Sequence, residues 1–425
     1  MTLTPDYYHD SSPFNLLRTS MDERYLSAVD VLMPLLKLKD TRLARECLLM
    51  VLVNVVRLAS YRPTHFLYYS RDNNDWTDLN RREALPFNPF RISRKLVEVV
   101  GAMADAGYLH HVIGHNPKPG EVRWAVQSRM GLTPQLLAFI KVHRLRDVPT
   151  LHASSYPVIR MRDGDGGMVY GAKRMPKAVA RSDVFLRRYN AFMAEQDIQL
   201  DAVDHGVFLD EVSVYRVFNR NDWQCGGRLA GAWWMNCGRE LRKAIYVNGE
   251  PTVELDYAAQ HINLLYGLRG LALPSSDPYA LHGFKREVVK AVCLRLINAS
   301  DVEQAWQACR SEALKDVKAQ RASVLAAEID GCLSSLTDFE DGIVQAIRAK
   351  HSAIADDLCC DKGIGLMNLD SFICLSVLER LTSHGIPCLS VHDSFLVAES
   401  HEADLRLAMV DAYGAVGLKD FVPCI

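Results

Sequence analysis

Asp256 and Asp393 are the residues on which a chemical reading of this chain turns. Each stands at the end, or in the turn, of an apolar run with β character. One run is Val253-Glu254-Leu255-Asp256-Tyr257 and the other is Leu389-Ser390-Val391-His392-Asp393-Ser394-Phe395-Leu396-Val397. Aspartates so placed on adjacent strands bring two carboxylates within reach of a shared pair of divalent cations, an arrangement suited to nucleotidyl transfer. Singly, neither is distinctive: Asp and Ser are ordinary turn residues, and an aspartate between a strand and a helix commonly caps the helix.

The elements that must carry these residues follow from apolar period. Residues 386–391 read as a short buried strand after Gly385, and 395–397 as its return, with His392-Asp393-Ser394 in the turn. Upstream, Phe372, Ile373, Leu375, Val377, Leu378 and Leu381 predict a helix over 369–384. Residues 244–247 and 252–257 flank Asn248-Gly249-Glu250-Pro251 and predict a hairpin ending on Asp256. From Ala258 the spacing of Ile262, Leu264, Leu265 and Leu268 turns helical. A further helix over 285–298 sets Arg286 and Lys290 one turn apart, and 301–352 reads as mostly helical.

Gly227-Arg228-Leu229, Arg242, Asp256-Tyr257, Arg286 with Lys290, and Val391-His392-Asp393 follow one another in a fixed order. In that order the chain resembles the superfamily that unites family A DNA polymerases with phage-type and mitochondrial single-subunit RNA polymerases, over residues 220–400. The resemblance implies two Mg2+ (or Mn2+) ions held by Asp256, Asp393 and the Tyr257 carbonyl, with Asp256, Asp393 and Lys290 as the catalytic residues. It further implies Arg286, Lys290, His261, Tyr257 and Asn298 at the nucleoside triphosphate (dNTP or NTP), and Arg228, Arg242 and His392 against the DNA template and primer. Without it, Arg286 and Lys290 are a solvated basic helix face, and Trp233-Trp234 are core residues or stack on bases.

The chain departs from the family at three places. His261 stands five residues after the first aspartate, where the DNA enzymes usually carry a glutamate that excludes the ribose 2′-hydroxyl. Ser394 follows the second aspartate in place of a glutamate, and Leu294 and Asn298 replace aromatic residues four and eight positions beyond Lys290. The first two lean towards ribonucleotides, and the third implies a differently built nucleotide pocket. No room remains for a proofreading exonuclease.

The expected fold is α+β: an N-terminal winged-helix-like domain (1–150), a basic linker or thumb-like segment (151–220), and a polymerase right hand (221–425) of antiparallel palm sheet plus helical fingers at about 280–355. In the first domain, helices are predicted over 24–33, where Pro34 interrupts, and over 41–60 and 92–106, followed by a wing of strands 110–113 and 121–126. Arg91, Arg94 and Lys95 would then begin a groove-binding helix. The middle segment holds Arg160, Arg162, Lys173, Arg174, Lys177, Arg181, Arg187 and Arg188 around Asp163-Gly164-Asp165-Gly166-Gly167. It reads equally as a track for phosphates or a solvated loop.

With 425 residues, 49% of them hydrophobic and 24% charged, the chain has material for two or three cores. A net charge of −2 excludes cations spread over the whole surface, so a nucleic-acid partner requires them gathered locally. Eleven cysteines with no CxxC pair suit the reduced thiols of a cytoplasmic protein. The start of the chain does not read as a signal peptide, and the apolar run 47–58 is broken by Asn54 and Arg57, so no membrane partner is expected. The leading expectation is a template-directed polymerase. Two alternatives stand beside it: a template-independent nucleotidyl transferase, and a non-catalytic DNA-binding replication initiator or regulator with a degenerate palm.

Overall fold

The computed structural model describes residues 11–16, 18–71, 94–115, 126–147, 151–152, 157–165, 167, 169, 174–202, 206–318, 324–331, 333–418, 421, 423 and 425. The chain divides into two compact units, Met1–Pro157 with Ala202–Glu211, and Val158–Asp201 with Val212–Ile425. Both mix helices with sheets. Among the described residues no helix is long and apolar enough to cross a membrane.

The first unit runs β1 (Ser11–Pro13), β2 (Arg18–Thr19), α1 (Glu23–Leu35), α2 (Arg42–Tyr61), β3 (Phe66–Tyr69), α3 (Lys95–Asp105), β4 (Leu109–Val112), β5 (Ser128–Leu132), α4 (Pro134–Val142) and β6 (Leu151–His152). Side-chain caps start three of the helices: Asp22 accepts from the Arg24 amide, Thr41 from Ala44 and Thr133 from Leu136. Pro34, expected to interrupt α1, lies inside it one residue from its end, and the Leu36 amide beyond still donates to the Leu32 carbonyl. Helix α2 is the core of the unit, buried at every position from Met50 to Ala59. Its two polar members are satisfied. Asn54 exchanges hydrogen bonds with the Asn15 backbone, and Arg57 grips Asp210 (2.7 and 2.8 Å) and Glu211 (3.0 Å). A four-stranded sheet of order β1-β3-β5-β4 packs with it. Of the expected wing, β4 pairs with β5 at Ser128–Leu132 and Val126 bridges His115, while 121–125 lie outside the described residues. Arg94 and Lys95 stand at the start of α3, where Lys95 is ion-paired with Glu98; Arg91 lies outside the described residues.

The second unit contains β7 (Ile159–Met161), α5 (Lys177–Ala194), β8 (Ile198–Leu200), β9 (Tyr215–Asn219), β10 (Asp222–Ala230), α6 (Arg239–Arg242), β11 (Ile245–Val247), β12 (Glu250–Asp256), α7 (Gln260–Gly267), α8 (Arg286–Asn298), α9 (Val302–Lys318) and α10 (Val324–Asp330). A helical run follows through α11 (Leu336–Asp338), a π segment (Phe339–Val344) and α12 (Gln345–Lys350). Then come α13 (Gly363–Ser383), β13 (Leu389–Val391), β14 (Ser394–Ala398) and α14 (Glu402–Ala412). Its main sheet has the order β13-β14-β12-β11-β8, antiparallel throughout, and a second sheet has the order β10-β9-β7. Helix α13 lies at the centre, packed against β10, α14, α5 and α7.

Of the expected linker, 158–201 and 212–220 belong to this unit, and 151–157 and 202–211 to the first. Strand β7 joins the second sheet, β8 edges the main one, and α5 buries Val179, Ser182, Phe185, Leu186, Tyr189 and Met193 at helical spacing beside α13. The many cations on its other face hid that period from a reading by composition. Trp233 and Trp234 are wholly buried edge to face, with the Trp234 indole donating to the Ser390 carbonyl at 3.2 Å, so they are core and do not stack on bases.

Arg216 ties the two layers together. It is completely buried without a carboxylate partner among the described residues and donates to the Gly227 carbonyl (2.8 Å), Ser182 Oγ (2.7 Å) and Ser371 Oγ (2.6 Å), with the rings of Phe218 and Phe372 against its guanidinium. Burial lowers its pKa to about 10, which leaves it charged at neutral pH. Room for it comes from a bulge in β10, where Gly226 and Gly227 take φ of +75° and +94°. A Cβ at position 227 would lie 2.8 Å from the Arg216 guanidinium. Gly227→Ala is therefore expected to lower stability by about 2–3 kcal/mol in urea unfolding, whereas Gly365→Ala, in open space within α13, is expected to raise it by up to about 1 kcal/mol.

Candidate active site

Strand pairing puts the two aspartates side by side. In the β12/β14 ladder Asp256 faces Ser394, the residue after Asp393, and the Tyr257 amide donates to the Asp393 carbonyl at 3.3 Å. The two-residue turn between β13 and β14 is closed by His392 at φ +60°, a left-handed conformation His tolerates better than β-branched residues do. Past Asp256, the chain swings into α7 through Ala259 at φ +51°. Tyr257 anchors that corner: it is buried, donates from its hydroxyl to the Met409 carbonyl (2.5 Å) and packs edge to face on Phe395 and Tyr413.

Both aspartates line one cavity of about 1190 Å³, together with Arg228, Tyr257, His261, Arg286, Lys290, Leu294 and Asn298. Neither makes an ion pair with a described residue. Asp256 is reached by water through the cavity yet is surrounded by protein. Its pKa is pushed up to about 6, first by the loss of bulk solvent around it and then by the Asp393 carboxylate, with Lys290 pulling the other way. Lys290 is exposed and has no ion-pair partner among the described residues. Arg286, four residues earlier on α8, is paired with Asp277 at 2.7 Å, 5.5 Å from the Tyr279 ring centroid. Asn298 lines the cavity but returns its amide to the Leu294 carbonyl at 2.7 Å.

A second layer holds Arg228. Its Nε donates to buried Asp370 of α13 at 2.6 Å, Gln260 donates to the other oxygen of that carboxylate at 3.3 Å, and the Tyr413 hydroxyl donates to Gln260 at 2.5 Å. Burial pushes Asp370 up to about 6 although Arg228 pulls it down. The other arm of Arg228 reaches His261 Nε2 at 3.3 Å. An arginine only donates, so Nε2 accepts and the ring proton sits on Nδ1. Burial, then the Arg228 charge, drops His261 to about 4, so it is neutral at physiological pH.

Two of the expected nucleic-acid contacts take other places. Arg242 spends its guanidinium on Glu254 (3.0 and 2.5 Å) and the Cys237 carbonyl (2.9 Å), so it braces β12 and does not line the cavity. Ser394 donates to the same Glu254 at 3.0 Å. His392 is exposed on the turn, outside the cavity lining. The sequence reading missed Asp370, Gln260, Glu254 and Tyr413. Asp370 had a signal, a lone carboxylate among the apolar positions of a predicted helix; the rest had none short of the fold.

Comparison with protein-family models, with curated proteins and with solved structures returned no match for this chain.

The raised pKa of Asp256 carries a definite sign. The native carboxyl holds its proton more tightly than the unfolded one, so its cost is absent below about pH 3.8, grows through the interval, and is fully in place above about pH 6. In metal-free buffer at pH 7.5, Asp256→Asn is expected to stabilise the protein by about 1 kcal/mol, discounted for solvent access, with the gain shrinking towards pH 4. Urea unfolding across that range checks it.

Proposed function

We propose that the second unit is a template-directed nucleic-acid polymerase domain that works by two-metal nucleotidyl transfer. The observation that carries this reading is the juxtaposition of Asp256 and Asp393 on paired antiparallel strands at a cavity also lined by Lys290 and Arg286. Their donor chemistry fits hard divalent cations: two adjacent carboxylates, one of them raised in pKa first by loss of solvent and then by the other, and neither neutralised by an ion pair with a described residue. Asp256, Asp393 and the Tyr257 carbonyl would hold Mg2+ or Mn2+, which supplies activation of an attacking 3′-hydroxyl and neutralisation of the leaving pyrophosphate.

The chain's own residues do the rest. Lys290, exposed and without an ion-pair partner among the described residues, binds the triphosphate and, one helical turn from Arg286, protonates the leaving group. Arg228, fixed by Asp370, presents a rigid cation to the primer–template. His261 is neutral and adds no charge against the sugar. On this reading the five-stranded sheet is the palm and α8 to α12 the fingers. The first unit delivers the enzyme to DNA in the manner of a winged helix, with Arg94 and Lys95 at its groove-facing helix, and the protein works in the cytoplasm. Untemplated addition is a second reading, favoured by Leu294: an exposed aliphatic side chain stands at the cavity wall where an aromatic would stack on a templated base pair.

Incorporation by the purified protein in magnesium, on primed and unprimed single-stranded DNA with dNTPs and NTPs supplied separately, tests both. Template-matched products are expected, abolished by EDTA, reduced at least about 10³-fold by Asp393→Ala or Asp256→Ala, and lowered mainly in kcat, about 10²-fold, by Lys290→Ala. Products that ignore the template would move the assignment to the transferase. Absence of any product that Asp393→Ala removes would overturn both and leave a DNA-binding protein with a degenerate palm.

A further inference from the structure

Helix α5 carries a charge pattern that works against its own stability. Lys177, Arg181, Val184 and Arg188 follow at i, i+4, i+7 and i+11 and share one exposed face, and Arg174 stands just ahead of the helix. Two of these cations crowd the N-terminal end, where the helix dipole is positive and where the first turn holds no acidic residue. Lys177 and Arg181 are also a like-charge i,i+4 pair. Between residues 173 and 188 the sequence has six Lys or Arg and one acid, Asp183, while the whole chain is at −2. Asp183 is engaged by Arg187, off the stripe, at 3.1 Å. None of Arg174, Lys177, Arg181 and Arg188 has an ion-pair partner among the described residues.

The opposite face of α5 is fixed to the sheet that bears Asp393. Tyr189 donates to the carbonyl of Cys388, the residue before β13, at 2.6 Å, and Ser182 Oγ accepts from Arg216. A rigid cationic ridge is thus coupled to the catalytic strands, with Val184, 71% exposed, as an apolar step between its charges. From Lys177 to Arg188 the ridge is about 16 Å long, close to the rise of five base pairs along a duplex axis at about 3.4 Å each.

We infer that this face of α5 is a nucleic-acid-binding surface that tracks one phosphate backbone through Arg174, Lys177, Arg181 and Arg188. The unmet polyanion accounts for the repulsion that the helix tolerates. The choice of nucleic acid among polyanions rests on the proposed nucleotidyl transfer, but the test needs no turnover.

Fluorescence anisotropy of full-length protein with a labelled DNA primer–template, in EDTA and across 50–200 mM salt, reads the surface directly. Changing all four residues to Gln is expected to flatten the slope of log K against log salt by about 3 to 4, and each single change by about 1. Changing the three arginines to Lys keeps the charge and is expected to keep the slope, which separates charge from any damage to the fold. An unchanged slope in the quadruple Gln variant, or loss of its binding to anionic phospholipid vesicles with DNA binding intact, would overturn the inference. Stripe-dependent DNA binding by a protein that incorporates no nucleotide would refute the polymerase reading and leave this surface standing.

Discussion

Two carboxylates that repel each other are held in place by backbone hydrogen bonds they cannot escape. The β12/β14 ladder runs from Thr252↔Ala398 to Asp256↔Ser394 without a break, and Phe395, Leu396 and Val397, which alternate between the two faces of β14, are all buried. A one-residue slip of that register would exchange those side chains between two packed faces of different shape, a loss much larger than the repulsion between two partly solvated charges. Core packing therefore imposes the juxtaposition, and the raised pKa of Asp256 is its electrostatic signature.

The surrounding charges are arranged as two braces. Arg242, Glu254 and Ser394 tie α6, β12 and β14 together beside the aspartates, and Arg228, Asp370, Gln260 and Tyr413 tie β10, α13 and α7. Each brace pairs its arginine with a carboxylate, which leaves Lys290 and, more weakly, Arg239 as cations whose field reaches Asp256 without an ion pair among the described residues. Behind them, Arg216 meets its buried charge with carbonyl and hydroxyl oxygens and two aromatic faces. Removing any one of these oxygens would leave a buried donor unsatisfied, so this layer tolerates little change.

Much of the site lay open in the sequence because it depends on local period. The hairpin that ends on Asp256, the turn that holds Asp393 and the helix that spaces Arg286 and Lys290 are each specified within some fifteen residues, and each is present. Arg242 misled because a guanidinium near an expected site looks the same whether its partner is a phosphate or Glu254. Segment 151–220 misled because cations on one face of α5 obscured the apolar face below. In the first unit the sequence did not show that β4 pairs with Ser128–Leu132, because a strand partner is chosen by packing and not by the nearest apolar run.

By itself the sequence determined which short elements form and which chemistry-bearing residues sit at their ends, since capping, turn chemistry and apolar spacing act over a few residues. Only the tertiary structure decided that Asp256 and Asp393 meet, that Asp370 fixes Arg228, that Trp233 and Trp234 are core, and that α5 is built into the second unit. Those outcomes depend on strand register and helix packing between segments as much as 199 residues apart, as in the bond from Tyr189 to Cys388. Such contacts are chosen by the shared burial of apolar faces, which no single window of sequence contains.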